Sequence, residues 1–444
     1  MSRFFICTFG CRCNQADSSA IRESLHREGL EETASHFGAD LVVVNSCTVT
    51  HRTDQQVRQT VRRFHRDNPG ARIVVTGCYA QRDPDALAAI PGVSLTIGNA
   101  DRDRLVNVLQ ESAAVPGLKV VRSPLDGRGP HFVIPPCGIG GKTRSLLKLQ
   151  DGCDARCSYC IVPSVRGPGR SARPDDVIAA TKALVAMGYR EIVLTGVNLG
   201  AYGRKLEGAP TLLDLLRRML EIPGLGRLRL SSIEPMRFPR GILRLAASNP
   251  SLAPHFHIPV QSGSDRILRR MRRPYTAARF LGQVDAIRET LPFSGIGTDV
   301  LVGFPGESEE DFQRTCDLVR GAPLTYLHVF PFSARDGTAA CSWAPRVHPS
   351  VIRERVATLR SISQEKDLAF RLSLIGRELP AITLAREEGM GDSTVLTENY
   401  IHARVTGSVV PNQLVTVRIL DALGEGTVAT VVRSLRFNSP NAGS

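Results

Sequence analysis

No apolar run in this chain reaches the ~18 residues that a membrane-spanning helix needs, so no membrane span is expected. The opening stretch "MSRFFICTFGC" lacks both a long apolar core and a small-residue cleavage site. It reads as a first strand rather than a secretory leader, and a cytoplasmic protein is the expectation. Internal repeats and low-complexity tracts are missing too. Acidic residues are in the minority, 43 against 56 Lys and Arg, for a net charge of +13 and a pI near 9.5. That excess suits a polyanionic partner, RNA or DNA, better than an acidic protein. No Ser/His/Asp constellation stands out, which argues against hydrolytic nucleophile chemistry.

Cysteine is plentiful. There are 11, an odd number, in a 444-residue chain without a leader. Disulfides are therefore not expected, and metal or catalytic use is favoured. A single core stops growing at roughly 250–300 residues, so two or three domains are expected.

Short apolar runs at Phe4–Thr8, Leu41–Asn45 and Ile73–Thr76 alternate with helical stretches at Ser18–Glu28, Asp54–Asp67 and Asp85–Ala89. This predicts an open parallel α/β domain over residues 1–111. Residues 112–142 are rich in Pro and Gly and read as a linker. Six further strand–helix units follow, with strands at Ser145–Gln150, Glu191–Gly196, Arg227–Ser231, His255–Pro259, Gly297–Val302 and Tyr326–Pro331. A full eight-unit barrel needs roughly 250 residues, so residues 143–374, closed by a long helix from Pro349, predict a partial (β/α)6 barrel. Residues 375–437 turn to short β runs and predict a small all-β module.

The segment "DGCDARCSYC" places Cys153, Cys157 and Cys160 in a polar loop just after a predicted strand. Structural zinc takes four ligands, commonly from paired CxxC knuckles, and no partner pair is present. Three thiolates at these spacings can wrap three corners of a cubane and leave one iron open. Cys11, Cys47 and Cys78 each stand at the end of a predicted strand of the first domain. In a parallel sheet those ends share one edge, so the three can converge on a second metal centre.

The x3, x2 spacing is that of the radical S-adenosylmethionine (SAM) enzymes. The stretches "VNSCTVT", "TGCYAQ", "YREIVLTGVNLGAYG", "RLSSIEP", "HIPVQSGSDRILRRMRR", "DVLVGFPGES" and "LHVFPFSARDGT" extend the likeness over essentially the whole chain. It resembles the radical SAM methylthiotransferases, and looks most like the branch that acts on N6-threonylcarbamoyladenosine at position 37 of tRNA. The resemblance implies two [4Fe-4S] clusters, one on Cys11, Cys47 and Cys78, the other on Cys153, Cys157 and Cys160. It further implies SAM as cofactor and source of a 5′-deoxyadenosyl radical, and a flavodoxin- or ferredoxin-like electron donor. The tRNA anticodon loop is the implied substrate, and the C-terminal module is implied to be a TRAM domain. Cys7 and Cys13 depart from the family pattern, and each competes with Cys11 as a ligand. Cys137, Cys316 and Cys341 match no motif and read as structural.

In the superfamily an aromatic at the place of Tyr159 lies against the adenine of SAM. Asn198, Ser232, Glu234 and Gln261 close predicted barrel strands with polar groups, where barrels hold ligands, and are expected to contact SAM or substrate. For RNA, "RQTVRRFHR" offers Arg62 and Arg63, and "RILRRMRR" offers Arg269, Arg270, Arg272 and Arg273. The C-terminal stretch from Gly376 holds six Arg and seven acids, so its charge does not by itself predict RNA binding. The alternatives are the branch acting on N6-isopentenyladenosine, the branch acting on an aspartate of a ribosomal protein, and a non-catalytic tRNA-binding protein with structural zinc.

Overall fold

Val42, Val43 and Val44 on one strand, and Ile73, Val74 and Val75 on the next, are buried on both faces. Parallel strands sandwiched between helices must be apolar in this way. The computed structural model describes residues 2–434, except residues 116, 127, 128, 130, 133, 135–142, 240, 386–390, 423 and 425. Cys137 lies outside the described residues.

The first sheet is wholly parallel, in the order Glu31–Glu32, Arg3–Thr8, Leu41–Ser46, Arg72–Gly77, Val93–Gly98, Val120–Val121. Its last strand lies in the stretch read as a linker. The first helix spans Arg12–Arg27 rather than starting at Ser18. Its first turns carry buried polar residues, Asn14 and Asp17 among them, which a hydrophobic pattern misreads as loop. Asn14 donates to the carbonyls of Phe9 at 2.8 Å and Ser46 at 3.0 Å, pinning the helix start to the sheet edge.

The six predicted barrel strands are present in chain order. Arg144–Asp151, Glu191–Gly196 and Arg227–Leu230 form one parallel set, edged by the antiparallel pair Arg170–Ser171. His255–His257, Gly295–Val302 and Tyr326–Pro331 form a second. Among the described residues no ladder joins the two sets; the Ile233 N–H donates to the His257 carbonyl at 2.9 Å, and a bridge ties Leu228 to Leu252, just before the second set. The barrel is therefore open. Leu194, Leu228, Leu230, Phe256, Ile258 and Ile296 pack outward against helix residues such as Leu216, Met219, Val284 and Ile287, while Glu191, Arg229, His255 and His257 alternate with them on the opposite face. Cys316 is buried in the same core, and Cys341 is half-buried beside Asp336.

The helix Leu212–Leu220 starts with a reciprocal cap. The Thr211 hydroxyl accepts from the Asp214 N–H, and the Asp214 carboxylate accepts from the Thr211 N–H, both at 3.2 Å. Both residues are exposed and line none of the cavities described below. Thr211→Ala should cost about 1 kcal/mol and lower the melting midpoint by about 1 °C, read by thermal denaturation.

A 24-residue helix, Pro349–Leu372, leads to the C-terminal module. There the strands Glu378–Thr383, Ser393–Thr397, His402–Val405, Val428–Ser434 and Leu414–Asp421 close into a five-stranded barrel around Leu379, Val395, Val415 and Ile419. The module is docked to the larger barrel through a fully buried arginine. Arg229 donates to the carbonyls of Thr397 at 3.1 Å and Glu398 at 2.8 Å, while its Nε meets Glu191 at 3.0 Å.

Candidate functional site

The strands Arg3–Thr8, Leu41–Ser46 and Arg72–Gly77 all run toward the mouth of the larger barrel. Cys11, Cys47 and Cys78 follow their ends and line a cavity of about 470 Å³. Ser232, Glu234 and Gln261, at barrel strand ends, line the same cavity. Cys153, Cys157 and Asn198 line a neighbouring cavity of about 440 Å³, and Cys160 faces a further opening beside them.

Among the described residues, the one group of three His, Cys, Asp or Glu ligand atoms within 4.8 Å of one another is His257, Asp299 and His328. Each cysteine triad is therefore spread wider than that. Tetrahedral zinc, with bonds of about 2.3 Å, would draw its sulfurs to within about 4 Å. The wide spacing fits a cluster better than one ion.

N–H groups point at the sulfurs. Asn99 donates to Cys78 Sγ at 3.4 Å, and the Ala155 amide to Cys153 Sγ at 3.4 Å. Arg273 donates to Cys157 Sγ at 3.3 Å, and Asn198 approaches Cys153 Sγ at 3.8 Å. Such donors stabilise ligating thiolates. Burial, reinforced by neighbouring thiols, pushes the Cys47 and Cys160 thiols up to about 12. A metal centre would reverse this by taking the sulfurs as thiolates. The Asn198 Oδ1 and Ser231 Oγ atoms are buried without hydrogen-bond partners, which leaves polar capacity for a bound molecule.

Three cysteines compete near the first centre. Cys7 packs with Phe5 and Phe9 against the core, and burial raises its thiol to about 11. Cys13 also lines the cavity, with its sulfur 3.8 Å from Thr195 Oγ1. Its hydrogen bond to Cys11 lowers the Cys11 thiol to about 6 and raises its own.

A buried ionic network ties the two cysteine regions together. Arg166, at the cavity wall, pairs with Asp151 at 2.7 Å and Asp17 at 2.8 Å. Asp17 also pairs with Arg102 at 2.8 Å and with Lys148. Asp151 opens the Cys153 loop, and Asp17 lies on the helix that follows Cys11. The same charges that neutralise one another therefore set the distance between the triads. A second tie runs from Arg335 to Asp54 at 2.6 Å and Thr48 at 2.7 Å, just behind Cys47.

The cavity floor is a relay that the sequence reading missed. His257 Nε2 lies 2.8 Å, and His328 Nδ1 3.2 Å, from Asp299 Oδ1. Tyr326 Oη lies 3.1 Å from His257 Nδ1 and 2.9 Å from His255 Nε2. One polarity satisfies these contacts: both imidazole N–H groups donate to Asp299, the tyrosine O–H donates to His257, and His255 donates to the tyrosine oxygen. Burial would raise the Asp299 carboxyl, but the two histidines hold it well below the usual range. Burial and the nearby Arg229 keep His255 neutral. The signal lay in alternation: His255 and His257, and Tyr326 and His328, are polar every second residue on strands otherwise apolar.

Other expected positions differ. Tyr159 packs edge-on against Phe304, with ring centroids 6.4 Å apart, in a cluster with Ile267 and Met271. It lines neither cavity. Arg62, Arg63, Arg269 and Arg272 are exposed. Arg270 is half-buried over the Trp343 ring. Arg273 is a correction to the RNA-binding expectation. It is only 5% exposed and is ion-paired with Glu234, so its charge is used inside the protein. That pair also takes up one oxygen of Glu234, whose carboxyl burial pushes up despite Arg273.

The comparisons agree with this architecture. Residues 3–98 match the model of uncharacterized protein family UPF0004, and residues 147–319 match the radical SAM superfamily. The threonylcarbamoyladenosine tRNA methylthiotransferase MtaB of Aquifex aeolicus is 37% identical over 93% of this chain and 98% of its own. The protein of the same name in Bacillus subtilis is 34% identical over 96% of each. A tRNA-2-methylthio-N(6)-dimethylallyladenosine synthase of Parafrankia is 37% identical over 87% of this chain and 78% of its own. Among solved structures, the radical SAM methyltransferase TsrM of Kitasatospora setae aligns with a TM-score of 0.56 at 17% identity, over 77% of this chain and 74% of that one. With the two cysteine regions at the edge of a parallel sheet and the mouth of a partial barrel, and with relatives alike from end to end, the chain belongs to the radical SAM methylthiotransferase family.

Proposed function

We propose that this chain converts N6-threonylcarbamoyladenosine at position 37 of tRNA to its 2-methylthio derivative. The observation that carries the proposal is the shared cavity, where Cys11, Cys47 and Cys78 face Ser232, Glu234 and Gln261 across about 470 Å³. One cluster on that triad and one on Cys153, Cys157 and Cys160, with SAM, would supply the transferred sulfur, the methyl group and the hydrogen abstraction. The protein's part is placement. The Arg166 network holds the two cysteine regions in register, and the barrel strand ends present donors and acceptors to the base. Asn198 contributes a side-chain amide 3.8 Å from Cys153 Sγ, in the neighbouring cavity.

A base in a single-stranded anticodon loop can be splayed into such a cavity without melting a helix. The exposed Arg62 and Arg63 lie on the helix His51–Asp67, which starts just beyond Cys47 at the cavity rim. Arg269 and Arg272 lie near the Cys153 loop, where Arg272 lines both openings. These four suit phosphates on either side of the inserted base. A flavodoxin- or ferredoxin-like protein is the electron donor this chemistry calls for.

The test is mass spectrometry of tRNA nucleosides from cells lacking the gene and from the same cells with it restored. The expected result is loss and return of the 2-methylthio mark on threonylcarbamoyladenosine. Loss from isopentenyladenosine instead would move the chain to the sister reaction. No change in either nucleoside would overturn the tRNA assignment.

A further inference from the structure

Arg12 stands out among the cavity's charged groups. Arg166 is committed to Asp151 and Asp17, Glu234 to Arg273, and Asp299 to two histidines. Arg12 is half-buried at the cavity wall, and among the described residues no carboxylate pairs with it. Its partner is a phenol from another part of the chain: Arg12 Nη2 donates to Tyr400 Oη at 2.7 Å.

Tyr400 is held with unusual care. Its φ is +77°, a left-handed conformation that costs a tyrosine strain. The ring stacks on His255 at 4.2 Å and 18°, with the Arg229 guanidinium 5.2 Å from its centroid on the buried side. Surface tyrosines need no such arrangement. The strained backbone and the stack fix the phenol oxygen against Arg12, and Arg12 and the stacked His255 both line the cavity, so that oxygen orients Arg12 from behind the wall. His255 lines the same cavity, and its Nδ1 is buried without a hydrogen-bond partner.

We infer that Arg12, oriented by Tyr400, binds the carboxylate of the N6-threonylcarbamoyl group and so determines which modified adenosine is accepted. The inference rests on the function proposed above. The threonylcarbamoyl substituent ends in a carboxylate and a hydroxyl, whereas isopentenyl ends in hydrocarbon. A half-buried guanidinium without a counter-ion gains a charge-assisted pair from the first. The second would strip its water and return nothing. The neutral His255 offers Nδ1 to the threonyl hydroxyl.

The test uses the full-length enzyme loaded with both clusters. The substrates are anticodon stem-loops bearing N6-threonylcarbamoyladenosine as the acid, as its carboxamide, or bearing isopentenyladenosine. Product formation by mass spectrometry yields kcat/KM for each, and iron content certifies loading. Wild type should prefer the acid over the carboxamide by about 10- to 100-fold. Arg12→Gln should bring that ratio to within about 3-fold, mainly through KM. Tyr400→Phe, which keeps the ring but frees the guanidinium, should give an intermediate ratio. An unchanged ratio in Arg12→Gln overturns the inference. If that variant fails to load iron, an unchanged ratio in Tyr400→Phe does so instead. Equal use of acid and carboxamide by wild type also overturns it while leaving the proposed function standing. Activity on the isopentenyl loop alone would overturn the proposed function itself.

Discussion

Replacing Cys157 by alanine should abolish release of 5′-deoxyadenosine from SAM and cut the iron content from about eight to about four per chain. Replacing Cys78 by alanine should halve the iron too, but leave SAM cleavage intact while methylthio transfer stops. The contrast follows from position. Cys157 sits on the loop after the first barrel strand, and its sulfur faces a cavity shared with Cys153 and Asn198. Cys78 sits at the end of Arg72–Gly77, in the other cavity. Neither change disturbs packing enough to confuse the outcome, since each removes one sulfur and leaves the Asp17–Arg166–Asp151 network whole. Iron analysis, with chromatography of SAM products and of tRNA nucleosides, reads all three quantities. Cleavage surviving in Cys157→Ala, or lost in Cys78→Ala, would refute the division of labour between the triads.

Glu191→Gln should destabilise the protein by about 3–5 kcal/mol. Glu191 is fully buried at the start of a barrel strand, with Arg229 at 3.0 Å, Arg227 at 3.4 Å and Arg144 at 3.5 Å. Gln keeps the shape but leaves the fully buried Arg229 guanidinium without its anion. Arg229 also bonds the Thr397 and Glu398 carbonyls, so the docking of the C-terminal barrel should loosen with it. The pH dependence has a definite sign. Burial raises the Glu191 carboxyl, but the arginines outweigh it and hold it at about 2, below an ordinary value of 4.5. A depressed native pKa stabilises fully above pH ~4.5 and loses that stability as pH falls toward 2, by about 3 kcal/mol. Urea unfolding followed by Trp343, the single tryptophan, should show this decline in wild type and lack Glu191's share of it in the variant. Equal midpoints for the two proteins at pH 7 would refute it.

Much of the scaffold was legible because burial leaves a local trace. Glu191–Gly196 and Tyr326–Pro331 were read to the residue. Apolar runs flanked by turn residues have few other uses. The start of the first helix was not legible, because Asn14 and Asp17 face inward to bond rather than outward to water. Arg273 was misread for a related reason. A run of five arginines looks like one charged face, but Arg273 turns back from the helix end to meet Glu234 and Cys157. Only the partner, 39 residues away, reveals it.

What the sequence by itself determined are features whose physics is local. Three thiols within eight residues can surround one centre wherever the loop goes, and β-branched runs must bury. Family membership follows from many such local stretches together. The tertiary structure alone decided which groups from distant segments meet. It set Arg166 between Asp17 and Asp151, assembled His257, Asp299 and His328 from three strands, and brought Tyr400 of the last barrel to Arg12 of the first helix, 388 residues away. Ion pairs and hydrogen bonds act over a few ångströms in space and leave no period along the chain, so no spacing announces them.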